Sequence, residues 1–222
     1  MPTILDVIPV GPFQCNCILL ADPATQEAVV IDPGDEIEKI NKRITEGGFK
    51  VKEILHTHTH IDHIGGTSEL QKLTNARVLL HNEDLFLYEQ YDLQAAYLRL
   101  PPSPGKKLVP PDAFLIDGQS IGSGSIEGTV LHTPGHTPGS CGFYFPKLAE
   151  LNEAGILFPG DTLFAGSIGR TDLWKGDYDQ EIASIKLKYF TLPDEVVVIP
   201  GHGQPTTIGE EKRYNPFFGN KV

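Results

Sequence analysis

A chain of 222 residues, 40% of them hydrophobic, is long enough to bury a sizeable core and suits one α/β domain spanning 1–222. Its 18 basic and 29 acidic residues leave a formal charge of -11, which argues against nucleic acid or an anionic membrane as a partner. No apolar stretch approaches the ~20 residues of a membrane span, and the start Met1-Pro2-Thr3 has no basic segment followed by an apolar one, so a cytoplasmic protein is expected.

In chain order, residues 3–10, 16–21 and 27–31 read as opening strands. Asp35, with Glu38 three residues on, is the expected cap of a helix with the stripe Ile37, Ile40 and Ile44, stopped by Gly47-Gly48. The apolar run 51–55 is the next strand, and Ser68 with Gln71 forms a second capping pair. Residues 83–100 read as one helix ending at Pro101-Pro102, and the Pro-rich stretch to Pro111 as a loop near the mouth of a site. Short strands over 129–131, 155–158 and 196–199 then alternate with glycine turns, and 177–192 supplies a late helix with Ile182, Ile185 and Tyr189 on one face. Cys15, Cys17 and Cys141 are expected to be reduced thiols packed as small hydrophobes. The aromatic tail Tyr214, Phe217 and Phe218 is expected to cover core.

The chemistry is concentrated directly after the strand 51–55, where His58, His60, Asp62 and His63 spell His-x-His-x-Asp-His. Three imidazoles and a carboxylate within six residues at a strand end form a metal-binding pattern, since neutral imidazole and carboxylate suit zinc, iron or manganese. Three more candidate ligands stand beside Gly or Pro at later strand ends: His136 in Pro134-Gly135-His136, Asp161 in Pro159-Gly160-Asp161, and His202 in Gly201-His202-Gly203. His56, His81 and His132 fall outside the pattern and read as structural, with His132 a candidate partner for a ligand.

These five histidines and two aspartates, in this order over nearly the whole chain, resemble the metallo-β-lactamase superfamily. The resemblance implies a four-layer αββα sandwich and two divalent metal ions, zinc foremost, with iron or manganese as alternatives. It places one ion on His58, His60 and His136, the other on Asp62, His63 and His202, with Asp161 bridging. It implies hydrolysis by water activated between the metals, with Asp62 and Asp161 as the catalytic carboxylates. The segments Gly166-Ser167-Ile168-Gly169-Arg170-Thr171-Asp172 and Thr207-Ile208-Gly209-Glu210-Glu211-Lys212-Arg213-Tyr214 look like those of single-domain type II glyoxalases, the hydroxyacylglutathione hydrolases. The substrate so implied is a small thioester such as S-D-lactoylglutathione. Arg170 and Arg213 are the candidates for holding substrate carboxylates, against an ion pair with Asp172 or Asp177 for the first and a solvated charge for the second. Rival readings are a mononuclear iron persulfide dioxygenase, a lactonase and a non-catalytic metal-binding module. Pro138-Gly139-Ser140 favours the hydrolases over the dioxygenases, and Asp161 disfavours an antibiotic-hydrolysing enzyme.

Overall fold

The computed structural model describes residues 3–100, 107–148 and 154–218. Strands β1 (Ile4–Val10), β2 (Cys15–Asp22) and β3 (Glu27–Ile31) run antiparallel in sequence order. Helix α1 (Ile37–Gly47) crosses to β4 (Lys50–Leu55), parallel to β3. The turn α2 (Ile61–Ile64) and helix α3 (Thr67–Thr74) lead to β5 (Arg77–His81), and α4 (Leu85–Tyr88) and α5 (Tyr91–Tyr97) lead towards β6 (Ala113–Leu115). One six-stranded sheet results, in the order β1-β2-β3-β4-β5-β6.

The second half begins with the antiparallel strands β7 (Ser120–Ser123), β8 (Ile126–His132), β9 (Cys141–Phe145) and β10 (Ile156–Phe158). A ribbon of β11 (Leu163–Phe164) and β12 (Ser167–Ile168) precedes α6 (Tyr178–Ser184), which continues through a π-helical turn over Ile185–Tyr189. Then come β13 (Val197–Val198), parallel to β10, β14 (Thr206–Thr207) and α7 (Ile208–Tyr214). The second sheet runs β14-β13-β10-β9-β8-β7.

Alternation along the strands explains the layering. On β2, Ile18 and Leu20 join the core between the sheets, while Cys17, Leu19 and Ala21 join a second core with Ile40 and Ile44 of α1 and Leu70 of α3. A strand buried on both faces divides its side chains this way with a period of two. The inner core receives Val130, Phe143, Phe145 and Phe158 from the other sheet, whose outer face packs Leu157 and Val198 against Ile185, Tyr189 and Ile208. The architecture is therefore the expected αββα sandwich. Among the described residues, no helix is long and apolar enough to cross a membrane.

Several local expectations are corrected. Helix α1 is capped one residue later than expected, by Glu36 in the left-handed region (φ 47°), and Asp35 instead accepts a bond from the Glu36 N–H. Ser68 lies inside α3 and caps nothing; its hydroxyl accepts from the Val109 N–H (2.8 Å) and donates to the Lys107 carbonyl (3.3 Å), pinning the end of the Pro-rich stretch. The helix expected over 83–100 is broken into a 3-10 turn at Asn82–Asp84, α4 and α5. Buried Gln94 explains the break, because its amide donates to the Leu87 carbonyl while also bonding Thr59 and Ile61. Residues 101–106 of the Pro-rich stretch lie outside the described residues. In the aromatic tail only Phe218 packs against the core, its ring 4.8 Å from Phe190, whereas Tyr214 and Phe217 are exposed. All three cysteines are free and buried, and burial pushes the Cys15 thiol up to about 12.

Candidate metal centre

The loops after β4, β8, β10 and β13 meet at one end of the sandwich, and they carry the seven residues singled out above. Ligand atoms of His58, His60 and His136 lie within 4.8 Å of one another, as do those of Asp62, His63 and His202. The closest approaches in the first group are 2.9 Å between His60 Nδ1 and His136 Nε2 and 3.2 Å between His58 Nε2 and His136 Nε2. In the second group, His202 Nε2 stands 3.1 Å from Asp62 Oδ2 and 3.3 Å from His63 Nε2. Asp161 lies between them: its Oδ1 is 3.4 Å from His63, and its Oδ2 is 3.8 Å from His136 and 3.6 Å from His202.

Four of the five rings are oriented by the nitrogen that faces away, while His60, whose Nδ1 faces inward, has no hydrogen-bond partner at its buried Nε2. His136 Nδ1 donates to the Arg170 carbonyl (2.7 Å), and His202 Nδ1 to the Phe13 carbonyl (3.0 Å). His63 Nδ1 faces the Asp32 carboxylate at 3.0 Å. His58 Nδ1 donates to the Thr57 hydroxyl (3.1 Å), whose own proton goes to Asp32 (2.6 Å). With a proton on each outward nitrogen, the inward nitrogen carries only a lone pair. Lone pairs facing one another at about 3 Å repel unless a cation lies among them, and buried Asp161 Oδ1 has no hydrogen-bond partner. The donor set therefore fits two divalent ions held by nitrogen and oxygen.

Electrostatics separate the two groups. Burial pushes His58 and His60 well below the ordinary imidazole range, reinforced by the neighbouring rings, and it lowers His136 as well. Burial also works against charge on His63 and His202, yet both are raised: for His63, Cys15, Asp161, Asp62 and Asp32 overcome it, and for His202, Asp62 and Asp161 do. Burial opposes ionisation of Asp62 and Asp161, but the surrounding histidines, His63 foremost, hold both below the usual carboxylate range.

Three supporting carboxyls were not singled out in the sequence. Asp32, at the end of β3, holds His63 and both the N–H (2.9 Å) and hydroxyl of Thr57. Asp84 accepts from the N–H groups of Thr59 (3.0 Å) and Gly139 (2.6 Å) and from the Thr137 hydroxyl (2.8 Å), so one buried carboxyl fastens the loop of His58 and His60 to that of His136. Burial pushes Asp84 up to about 6 against those bonds. Glu181 of α6 accepts from the His136 N–H, and burial raises its carboxyl to about 8. The signal available for Asp32 was its place at the C-terminal end of an apolar strand, beside Pro33-Gly34; Asp84 and Glu181 had none.

Histidines outside the pattern have structural partners. His56 Nε2 lies 3.1 Å from the Thr67 hydroxyl, and His132 Nε2 donates to the Pro138 carbonyl (2.9 Å), two residues past His136. His81 and His132 stack at 3.9 Å with planes 14° apart. Imidazole lone pairs lie in the ring plane, so two nearly parallel stacked rings cannot aim at one ion between them, and with Glu83 they make a poor chelate despite their proximity.

A cleft of about 340 Å³ opens over the centre, lined by His60, Asp62, His136 and Asp161 and walled by Phe13, Leu98, Phe164, Leu173 and Trp174. Trp174 packs 5.5 Å from the His60 ring and 5.2 Å from Tyr97. Arg170 reaches this cleft and pairs through two bonds, 2.8 and 2.9 Å, with Asp172. Arg213 is not brought there: it lies on α7, 3.3 Å from Asp194, and does not line this cleft. Gln94 and Leu98 also line this cleft, while residues 101–106 of the Pro-rich stretch lie outside the described residues.

Comparison with known proteins gives concordant results. The family described as the metallo-beta-lactamase superfamily matches residues 10–202. The hydroxyacylglutathione hydrolase GloC of Haemophilus influenzae is 40% identical over 98% of this chain and 99% of its own length. Among solved structures, the BLEG-1 B3 metallo-beta-lactamase superimposes with a TM-score of 0.85 at 36% identity, covering 97% of this chain and 99% of that one. TTHA1623, crystallised in a di-iron-bound form, gives 0.84 at 39% identity, with 96% and 99% covered.

Proposed function

The chain belongs to the metallo-beta-lactamase superfamily, a superfamily of metallo-hydrolases, and from that premise we propose that it is a dinuclear hydrolase of small thioesters, of the S-2-hydroxyacyl glutathione kind. The observation that carries this reading is the convergence of two three-ligand groups on Asp161 at the floor of one cleft. Two divalent ions, zinc first and iron or manganese as alternatives, would be held by these residues and would supply Lewis acidity and available hydroxide near neutral pH. Asp161, set between the groups, holds both halves of the centre at one spacing. Asp62 and Asp161 supply the anionic charge that balances the cations.

The described residues lining the cleft include no Ser, Thr, Cys or Lys, and its Asp and His side chains are those that would hold the ions, so in this reading water is the attacking group. Leu98, Leu173 and Trp174 give the cleft an apolar wall, which would strengthen electrostatic interactions with a substrate seated against it. Identity to GloC over nearly the full length of both chains supports the thioester over other acyl groups.

The test is turnover of S-D-lactoylglutathione by protein loaded separately with zinc, iron and manganese, alongside a lactone, a β-lactam and glutathione persulfide with oxygen uptake recorded. Thioester hydrolysis at two ions per chain is expected, with negligible β-lactam cleavage and no oxygen consumption. Faster β-lactam turnover, or oxygen uptake by a one-iron form without thioesterase activity, would replace this reading.

A further inference from the structure

His60 is held differently from the other four ligand histidines. His58, His63, His136 and His202 each have a polar partner at the nitrogen turned away from the centre. His60 turns Nδ1 inward, 2.9 Å from His136 Nε2, and its Nε2 is buried without a hydrogen-bond partner. An imidazole lacking a partner at its outer nitrogen has nothing polar to fix its rotation, which is the usual way a ligand ring is aimed. What packs on His60 instead is an indole: Trp174 lies 5.5 Å from it, centroid to centroid, with the ring planes 54° apart, inside the range of favourable tilted aromatic pairs.

The backbone is strained to put Trp174 there. The Gly176 N–H donates to the Leu173 carbonyl at 2.7 Å, closing a turn whose two central residues, Trp174 (φ 29°) and Lys175 (φ 69°), both have positive φ. Turns of this sense favour Asn and Gly at these positions, and larger residues persist there when their surroundings over-determine them. Two further ring contacts do so here: the Lys175 ammonium stands 4.2 Å over the Phe86 ring, and Trp174 meets Tyr97 edge-on at 5.2 Å.

Resting on the dinuclear reading, we propose that Trp174 is the positioning residue of His60, aiming by aromatic packing the one ligand ring whose outer nitrogen no hydrogen bond holds. The indole keeps Nδ1 turned towards His58 and His136, so its loss should weaken the ion on that group and spare the ion on Asp62, His63 and His202. As a wall of the cleft and nothing more, Trp174 would affect the substrate and leave the metals untouched.

The experiment titrates metal-free wild type, Trp174→Leu and Trp174→Phe with cobalt, following absorption and, by competition with a chelator, the affinity of each ion. Leucine keeps an apolar wall without a ring, and phenylalanine restores a ring. Trp174 is half-buried in a turn, so neither variant empties the core. Expected in Trp174→Leu is a loss of about 10–100-fold in affinity for one ion, as when an outer partner of a metal ligand is removed, with altered absorption from that ion and the other bound as in wild type. Trp174→Phe should recover most of the loss. Wild-type affinity for both ions in Trp174→Leu, with KM for the thioester raised, overturns the proposal and leaves the indole as wall. Equal weakening of both ions, or equal loss in the Leu and Phe variants, overturns it as well. Wild-type protein that binds fewer than two ions per chain would remove the dinuclear reading and this inference with it.

Discussion

The group of His58, His60 and His136 and the group of Asp62, His63 and His202 each take two ligands from the loop after β4 and one from the second half of the chain, yet they are built differently. The first is all imidazole, buried, and lowered in basicity by that burial. The second contains a carboxylate, keeps partial exposure at Asp62 (19%) and His202 (26%), and its imidazoles are raised by neighbouring acids. Their anchors differ too: Asp84 fastens both loops of the first group, whereas Asp32 grips His63 of the second and reaches the first only through Thr57. The two groups are therefore not equivalent, and their inequality is set by burial and by the placing of carboxylates.

Asp161→Asn breaks what the two groups share. It preserves size but removes charge from between two cations, so one ion should be lost and hydrolysis should fall more than about 100-fold, since even outer partners of metal ligands contribute 10–100-fold. Two ions per chain by elemental analysis with near wild-type turnover would remove Asp161 from the bridging position.

Asp84→Ala sharpens the comparison by striking one group. It leaves the Thr59 and Gly139 N–H groups buried without an acceptor, at a cost of about 1–3 kcal/mol each. Affinity for one ion should fall about 10–100-fold while the other holds. Calorimetric metal titration showing both ions weakened alike would mean that Asp84 supports the fold and not one group.

Proton competition gives a third effect. A histidine with a raised pKa must release its proton to bind metal, whereas one with a lowered pKa already presents a lone pair. As pH falls from 8 towards 5, the ion on Asp62, His63 and His202 should therefore leave first, its affinity dropping about tenfold per pH unit for each proton displaced. Cobalt absorption followed at stepped pH reads this directly, and simultaneous loss of both ions would erase the distinction.

Arg170→Ala should do least. Its exposed pair with Asp172 is of the kind worth about 0–1 kcal/mol, so KM should change by less than about fivefold with kcat and metal content kept. A larger fall in kcat would show that the guanidinium acts in the transition state.

The convergence of the seven residues was legible because each lies at the end of an apolar run and their order is distinctive. Strands β2 and β3 were legible because side chains buried on both faces leave a continuous apolar run. What escaped depended on contacts between distant segments. Gln94 breaks the helix expected over 83–100 through bonds to Thr59, Ile61 and Leu87, and no local pattern announces a glutamine with three buried partners. Asp84 is likewise one acidic residue among several until Thr59 and Gly139 arrive beside it. Arg213 appeared beside a telling segment, but the register of α7 directs it to Asp194.

Phe13 and Arg170 each do two jobs with different parts of the residue. Their main-chain carbonyls hold His202 and His136, and their side chains form walls of the cleft. A replacement at either position alters the wall while every amino acid supplies the same carbonyl. A lineage, or a mutant library confined to positions 13 and 170, can thus vary the cleft wall without first releasing the two histidines that these carbonyls hold. Inheritance of the histidine geometry and drift in the shape of the cleft are separable at these two residues.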